Sequence, residues 1–339
     1  MSPMPEVRRG RTCLLSSVSN VLLEYDERLT EEMLFLFGHG NRIDYKIELD
    51  GNGLPVYIGH HSAAIMETFL ERFGIPQQRR MGSPAEGGLL DEIRGSLAHG
   101  NPIVIWVDMA RLDYLRFRPP PGSIHALTIE AESSGILSIA DCYTPVSLYS
   151  DKGGTYRFDV PLGHFEAWKS TGYCRHMIEF RHLAGRSIRF EPAAIRRELA
   201  NAASDYLHGA PGVRATHAVL HALADDLPHL IQQQSAPARD RLCTALAYSI
   251  RYFGILWTRE FLAAVIARLA QDDKSPELRS LAELFRATAM HWKFVMLTIL
   301  KISLADDGRR QAQAAGSKIR ALLRKEQDLY ESLLQHLAS

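Results

Sequence analysis

Residues 124–145 read IHALTIEAESSGILSIADCYTP. Two runs rich in Ile, Leu and Ala, residues 124–130 and 136–141, flank the small turn residues Ser133-Ser134-Gly135. Apolar runs of this length, separated by a short turn that contains glycine, are typical of antiparallel strands joined in a hairpin. The stretch therefore predicts two adjacent antiparallel strands that end near His125 and Asp141.

The segments around this hairpin extend the same pattern. Residues 102–107, PIVIWV, form a continuous apolar run, which is typical of a strand covered on both faces. Residues near Tyr156 and Phe158 alternate as in a further strand, and Pro119 to Gly122 predicts a rigid loop that precedes His125. A central antiparallel sheet is expected.

The first hundred residues add helices and a second hairpin. Helical spacing predicts helices at 14–22 and 61–73, and capping residues predict helix starts at Thr30 and Ser83. Two short strands, at 43–47 and 56–58, are separated by the turn sequence DGNG at 50–53. The first part of the chain is thus expected to be an α+β domain.

The pattern changes at about residue 183, after which strand signals disappear. A helix is expected from Pro192, and four or five more follow it. The segments 246–269 and 281–304 are apolar over most of their circumference, so we expect them to pack centrally. We therefore divide the 339 residues into an α+β domain at 1–182 and an all-helical domain at 183–339.

Composition excludes two classes of function. Lys+Arg and Asp+Glu both number 39, so the net charge is zero and no basic surplus is available for general nucleic-acid binding. No apolar stretch reaches the roughly 18 residues of a membrane span. The four cysteines are scattered without a CxxC pair, which indicates a reducing cytoplasm.

The N-terminal segment faintly imitates a signal peptide, because Arg8, Arg9 and Arg11 precede an apolar run. Serines and Asn20 interrupt that run, acidic residues follow it, and no small-residue cleavage site is present. We expect this segment to be the first helix of the mature fold.

Three residues stand where nucleophilic catalysis could use them. Cys13 begins the first helix, where the helix dipole, the unsatisfied amides and three nearby arginines favour a thiolate. His125 opens a strand and is the usual type of base for such a thiol. Asp141 closes the next strand, where its carboxylate could orient His125. The three together form a candidate catalytic triad.

Each residue alone also has an ordinary structural explanation. A lone cysteine in an apolar helix is more often inert packing, His125 could be a satisfied half-buried histidine, and Asp141 could cap a strand end. Only when the three residues are considered together is a catalytic role as well supported as an ordinary structural role. From the residues alone, both stay open.

No cofactor or metal is expected from the remaining motifs. Gly38-His39-Gly40 lacks the third glycine and the preceding strand of a phosphate-binding loop. His60 and His61 are adjacent, so they point apart in a strand, and no carboxylate spacing completes a metal site with them. Arg251 and Arg259 could meet a phosphopantetheine or a carrier protein, but as surface arginines they more often do neither.

The order of these motifs resembles known proteins. A cysteine that opens a helix, then NPIVIWVD at 101–108, then residues 124–145 is similar to the papain-like bacteriocin-leader peptidases. The fuller resemblance is to the butirosin biosynthesis protein H family, on LTEEMLFLFGHG at 29–40 with Tyr45, and on the HAL and DCYTP segments. The helical part resembles that family too, at GVRA and YFGILWTREFLAAV, residues 212–215 and 252–265.

This resemblance implies a papain-like cysteine-peptidase-type fold followed by a helical domain, and an acyltransferase activity. Cys13 would take an acyl group from an acyl carrier protein thioester, His125 would act as base and then acid, and Asp141 would orient it. An amine acceptor would then receive the acyl group as an amide, with no nucleotide required. One departure is that Pro5 to Thr12 contains no glutamine to hold the oxyanion, for which Arg8, Arg11 and Asn20 are weak candidates beside the Cys13 N–H.

Three hypotheses follow. The first is a cytoplasmic, amide-forming acyltransferase of specialised metabolism whose partners are an acyl carrier protein and a small-molecule amine. The second is a papain-like cysteine peptidase or amidase that uses the same triad with water. The third is a non-catalytic binding module, which requires that Cys13 be buried and that His125 lie beyond its hydrogen-bond reach. Homo-oligomer formation stays open in all three.

Overall fold

The structure is a computed structural model that describes most of the chain. The described residues are 8–23, 26, 28–48, 55–81, 89–115, 124–145, 153–169, 176–181 and 188–338. The turn at 50–53, the helix start at Ser83 and the proline loop at 119–122, all expected from the sequence, lie outside these ranges.

The described residues contain helices and strands in both parts of the chain. The helices are α1 Cys13–Leu23, α2 Glu31–Phe37, α3 Ser62–Arg72, α4 Leu89–Ala98, α5 Leu162–Lys169, α6 Pro192–His208, α7 Thr216–Gln232, α8 Ala236–Tyr252, α9 Ile255–Asp272, α10 Pro276–Ile302 and α11 Gly308–Ala338. The strands are β1 Asp44–Ile47, β2 Val56–Gly59, β3 Gln77–Met81, β4 Ile103–Asp108, β5 Ile124–Ser133, β6 Ile136–Pro145, β7 Gly153–Pro161 and β8 His176–Phe180. None of the helices among the described residues has the length and apolar character that crossing a bilayer requires.

The chain forms two compact units. The first comprises Met1–Leu34 and Met66–Arg189, and the second comprises Phe35–Ile65 and Phe190–Ser339. The second unit therefore includes residues 35–65, whereas the sequence analysis placed all of residues 1–182 in one domain. The expected α+β class and the helical C-terminal region are confirmed.

The first unit is built on a six-stranded sheet in the order β3-β8-β4-β5-β6-β7, with every neighbouring pair antiparallel. The middle strand β4 is buried along its whole length, as its continuous apolar sequence predicts. α1 packs against β5 and β6, where the Ser17 hydroxyl donates to the Ala126 carbonyl at 3.3 Å. This packing brings the start of α1 to the hairpin strands.

The predicted hairpin is present as β5 and β6. Thr128 pairs with Ala140 and Ile129 with Ile139, and a bulge follows Ile129. Gly135 has a φ of 80°, a left-handed turn conformation that glycine adopts without strain. The prediction that Asp141 ends its strand was wrong, because β6 continues to Pro145 by pairing with β7.

Two strands and one helix escaped sequence analysis. The sequence of β3, QQRRM, has no apolar alternation, because it pairs only with β8 on one side of the sheet. β8 and α5, which have five and eight residues, were also not predicted.

The second unit combines the helices α6 to α11 with the small β1–β2 sheet. The predicted pairing of these two strands is confirmed, with Lys46 opposite Tyr57. Gly59 allows this hairpin to pack closely against the helices of the second unit, because a Cβ at residue 59 would lie only 2.1 Å from the Phe253 carbonyl oxygen. The backbone of His60 also donates to that oxygen at 2.7 Å.

A buried ion pair lies at the centre of the second unit. The Arg259 guanidinium donates to both carboxylate oxygens of Glu326 at 2.7 Å, and both side chains are fully buried. Trp292 and Tyr206 donate to the same carboxylate at 2.9 and 2.7 Å. The expectation that Arg251 and Arg259 lie on the surface was therefore wrong, since 1% and 0% of their area is exposed.

We expect Glu326→Ala to destabilise the protein by about 3–5 kcal/mol, because it leaves the buried Arg259 cation without its partner. Asp225→Ala is a matched control, since it breaks the solvent-exposed pair, at 2.9 Å, between Asp225 of α7 and Arg320, which lies on α11 like Glu326. That change should cost about 1 kcal/mol or less. Chemical denaturation followed by circular dichroism measures both, and similar losses in the two variants would contradict the assignment.

Candidate active site

Cys13 is the first residue of α1 and is half-buried. The helix begins here because the Thr12 carbonyl accepts the Ser16 N–H at 3.2 Å, the first turn of helical bonding. Cys142 and Cys243, the other described cysteines, are free and buried, and Cys174 lies outside the described residues. Of the described cysteines, Cys13 is thus the one that solvent can reach.

His125 and Asp141 meet inside the sheet. The Nε2 atom of His125 lies 2.9 Å from Oδ2 of Asp141, and the two side chains are 1% and 0% exposed. The His125 ring also hydrogen-bonds the Cys13 thiol. Since Nε2 faces Asp141, Nδ1 is the nitrogen available to the sulfur. The structure thus brings the three predicted residues together in the order Cys13, His125, Asp141.

The electrostatics of this group favour a protonated imidazole. Burial alone lowers the pKa of His125, but the Asp141 carboxylate and the Cys13 sulfur outweigh it and raise the pKa to about 10. The His125 ring beside Cys13 therefore carries a proton at neutral pH. The arrangement is that of a nucleophile paired with an imidazolium.

Asp141 is held by two further donors. The Tyr114 hydroxyl donates to Oδ2 at 2.7 Å, and the Tyr143 backbone N–H donates to Oδ1 at 3.1 Å. Burial, followed by the Asp141 charge, raises the pKa of Tyr114 well above its usual value, so this hydroxyl remains a donor. Sequence analysis missed Tyr114 because it lies in a loop after β4, where no periodicity marks it.

Glu31 is the second residue that sequence analysis missed. It is 8% exposed, and its carboxylate accepts the Arg11 N–H, the Thr12 N–H and the Thr12 hydroxyl at 2.8, 2.8 and 2.7 Å. Burial raises the pKa of Glu31 to about 7 against the opposing effect of these hydrogen bonds. The sequence marked only a helix start at Thr30, with no sign that the next residue turns inward.

Among the three weak candidates for holding an oxyanion, the side chain of Asn20 has other partners. Asn20 accepts the Arg8 N–H at 2.8 Å and donates to the carbonyls of Arg8 and Ser16 at 3.0 and 2.9 Å. The Arg11 N–H is used by Glu31. By contrast, the Cys13 N–H makes no hydrogen bond within the described ranges, so it is available to a bound carbonyl oxygen.

Three further polar residues, Asp108, His60 and His61, have structural roles or lie in the second unit. The Asp108 carboxylate caps the short 3₁₀ turn after β4 by accepting the Ala110 N–H at 2.9 Å. His60 is buried in the second unit, and burial lowers its pKa to about 3. His61 lies 3.0 Å from Asp44. The described part of the chain holds no group of three or more His, Cys, Asp or Glu side chains that could bind a metal ion.

Residues 12–142 match the family described as butirosin biosynthesis protein H, N-terminal. This segment, which is less than half of the chain, is similar to the N-terminal part of butirosin biosynthesis protein H. The matched segment contains Cys13, His125 and Asp141, together with Glu31 and Tyr114. No curated protein matches the chain. The similarity of residues 12–142 to this family indicates a biosynthetic enzyme of natural-product metabolism.

We expect His125 to remain protonated from pH 5 to 9, because Asp141 raises its pKa to about 10. In Asp141→Asn the His125 ring should lose its proton within that pH range. Burial lowers the pKa of His125, and the Asp141 charge that raises it is then absent. Nitrogen NMR shifts of the imidazole measure this directly. Asp159→Asn is the control, because the Asp159 carboxylate accepts a hydrogen bond from Ser138 in the same sheet. This variant should leave the pKa of His125 unchanged.

The same pKa predicts a pH-dependent stability. A histidine whose pKa is higher in the folded than in the unfolded state stabilises the fold below about pH 6.5 and loses that contribution as the pH rises to about 10. Wild type should therefore lose stability relative to Asp141→Asn across this interval. A constant difference between the two proteins would contradict the charge assignment.

Proposed function

We propose that the protein transfers an acyl group from an acyl carrier protein thioester, through an acyl-enzyme on Cys13, to an amine. The observation that supports this is the half-exposed Cys13 sulfur, hydrogen-bonded to a His125 ring whose other nitrogen faces the buried Asp141. This is the arrangement of a cysteine nucleophile with its acid–base partner and orienting carboxylate. The similarity of residues 12–142 to butirosin biosynthesis protein H adds the biosynthetic context.

In the first step, the Cys13 thiolate attacks the thioester carbonyl carbon. The new S–C bond places a negative charge on the carbonyl oxygen, to which the free Cys13 N–H donates. As the tetrahedral intermediate collapses, the bond to the carrier's phosphopantetheine sulfur breaks and the His125 imidazolium gives that sulfur a proton. One thioester replaces another, so the step is close to isoenergetic.

In the second step, an amine attacks the acyl group on Cys13. His125, now neutral, accepts a proton from the amine nitrogen, and the Cys13 thiolate leaves as the amide forms. The proton that remains on His125 restores the original ion pair. Amide formation from a thioester is downhill, so no nucleotide is consumed.

Asp141 and Tyr114 keep the imidazole in the required orientation. Asp141 accepts at Nε2, which leaves Nδ1 directed at the sulfur in both steps. Tyr114 and the Tyr143 N–H hold the carboxylate in place, and all of these groups are buried or nearly so. A fixed carboxylate costs no reorganisation when charge develops on the ring.

Hydrolysis by a papain-like peptidase or amidase would use the same residues with water. The similarity of residues 12–142 to a biosynthetic protein favours transfer to an amine. The binding-module hypothesis required a buried Cys13 beyond the reach of His125, and the geometry of Cys13 and His125 is the opposite. The helical region would assist by binding the carrier or the acceptor.

The test is intact-protein mass spectrometry after incubation with a panel of acyl carrier thioesters. Wild type and Cys243→Ala, which removes a buried cysteine, should each gain one acyl mass, and Cys13→Ala should gain none. Acylation of Cys13→Ala, or of none of the three proteins by any thioester, would overturn the proposal.

A second stage separates transfer from hydrolysis. Candidate amines should discharge the wild-type adduct and release an amide, faster than buffer alone discharges it. Discharge at an equal rate with and without every amine, with a free acid as the product, would favour the peptidase or amidase alternative.

A further inference from the structure

The backbone that leads into Cys13 is held along its length. Asn20 binds both the N–H and the carbonyl of Arg8, and the Gly10 N–H donates to the Cys142 carbonyl of β6 at 2.8 Å. Arg11 and Thr12, the last two residues before the nucleophile, are held by the Glu31 carboxylate of α2. The approach to Cys13 is thus fastened to three separate elements.

The two oxygens of Glu31 divide these contacts. Oε1 accepts both donors of Thr12, the N–H at 2.8 Å and the hydroxyl at 2.7 Å, while Oε2 accepts the Arg11 N–H at 2.8 Å. A Cβ at Gly10 would lie 3.3 Å from Oε2 and only 2.0 Å from the Cβ of Ser16. The backbone at Gly10 therefore lies directly against Ser16, in a space that admits no side chain.

A carboxylate in this position is energetically demanding. Burial disfavours the charged form of Glu31, and an apolar residue at this position would not carry that energetic cost. An apolar residue would, however, leave three donors next to the nucleophile without an acceptor. Within the described residues, the hydrogen bonds that Glu31 accepts come from the two residues before Cys13, and this buried acid is best explained by what it does for Cys13.

We propose that Glu31 is a positioning residue for the nucleophile: by occupying the donors of Arg11 and Thr12, it fixes the backbone that directs the Cys13 N–H and sulfur at the thioester. This inference rests on the proposed acyl transfer and names the residue that orients its nucleophile. Cys13 needs such support because it is the first helical residue, and its own N–H has no partner in the described part of the helix to hold it. A shift of about 1 Å at a reacting atom can cost about 100-fold in rate.

The test compares Glu31→Gln with Glu32→Gln, its neighbour in the first turn of α2. The glutamine at residue 31 keeps one oxygen but turns an N–H₂ group toward donors. We expect Glu31→Gln to slow acylation of Cys13, and its alkylation by iodoacetamide, by about 10- to 100-fold, with KM for the carrier thioester unchanged. Glu32→Gln should match wild type in all three values.

Thr12 supplies a gentler variant for the same contact. Thr12→Val removes only the hydroxyl donor to Glu31, so we expect both rates to fall about three- to tenfold. Thr12→Ser keeps that donor and should restore them. Both substitutions disrupt the same contact between Thr12 and Glu31. The double variant Glu31→Gln/Thr12→Val should therefore react no more slowly than Glu31→Gln alone.

Thermal melting of each variant separates positioning from loss of fold. Rates within twofold of wild type in folded Glu31→Gln, or a rise in KM with an unchanged acylation rate, would overturn the proposal. If Glu31→Gln does not fold, an unchanged rate in folded Thr12→Val would overturn it, and a fall rescued by Thr12→Ser would support it. If wild type is never acylated, the proposed function fails, while the alkylation rates still decide the role of Glu31.

Discussion

His125 and Asp141 face each other inside a sheet that excludes water, and neither side chain could stay there alone. A buried imidazolium or carboxylate without a partner costs several kcal/mol, whereas the pair satisfies both charges. Their contact depends on the antiparallel pairing of β5 with β6, which brings residues 16 positions apart in the chain to the same end of the hairpin. The packing of α1 on these two strands then brings Cys13 to the ring. In the first unit, the register of β5 and β6, the packing of α1 on them and the pairing of the two charges therefore depend on one another.

The two compact units use buried charge in different ways. In the second unit, Arg259 and Glu326 meet with Trp292 and Tyr206 as additional donors, and the pair is sealed from solvent. In the first unit, the polar chain from Asp141 through His125 ends on the half-buried Cys13. A closed network stabilises a fold, but a network that reaches an accessible sulfur can also pass a proton to a substrate. This difference explains why the chemistry is assigned to the first unit.

Much of this could be predicted from the sequence, because the decisive signals are local. The hairpin at 124–145 is marked by apolar runs and turn residues, and Cys13 is marked by its place at a helix start. Glu31 and Tyr114 could not be found in this way, since their roles depend on which backbone or carboxylate lies opposite them in space. The burial of Arg259 was missed for the same reason, because its partner Glu326 is 67 residues away. The papain-like character of the fold remains a prediction from resemblance.

The proposed mechanism depends on a nucleophilic Cys13 thiolate paired with a protonated His125. Ultraviolet absorbance at about 240 nm reports thiolates, so the difference spectrum between wild type and Cys13→Ser at pH 7 isolates this one sulfur. We expect the absorbance of one thiolate in that difference, and we expect it to disappear when both proteins also carry His125→Ala. A wild-type difference spectrum without thiolate absorbance at pH 7, or one that persists without His125, would contradict it.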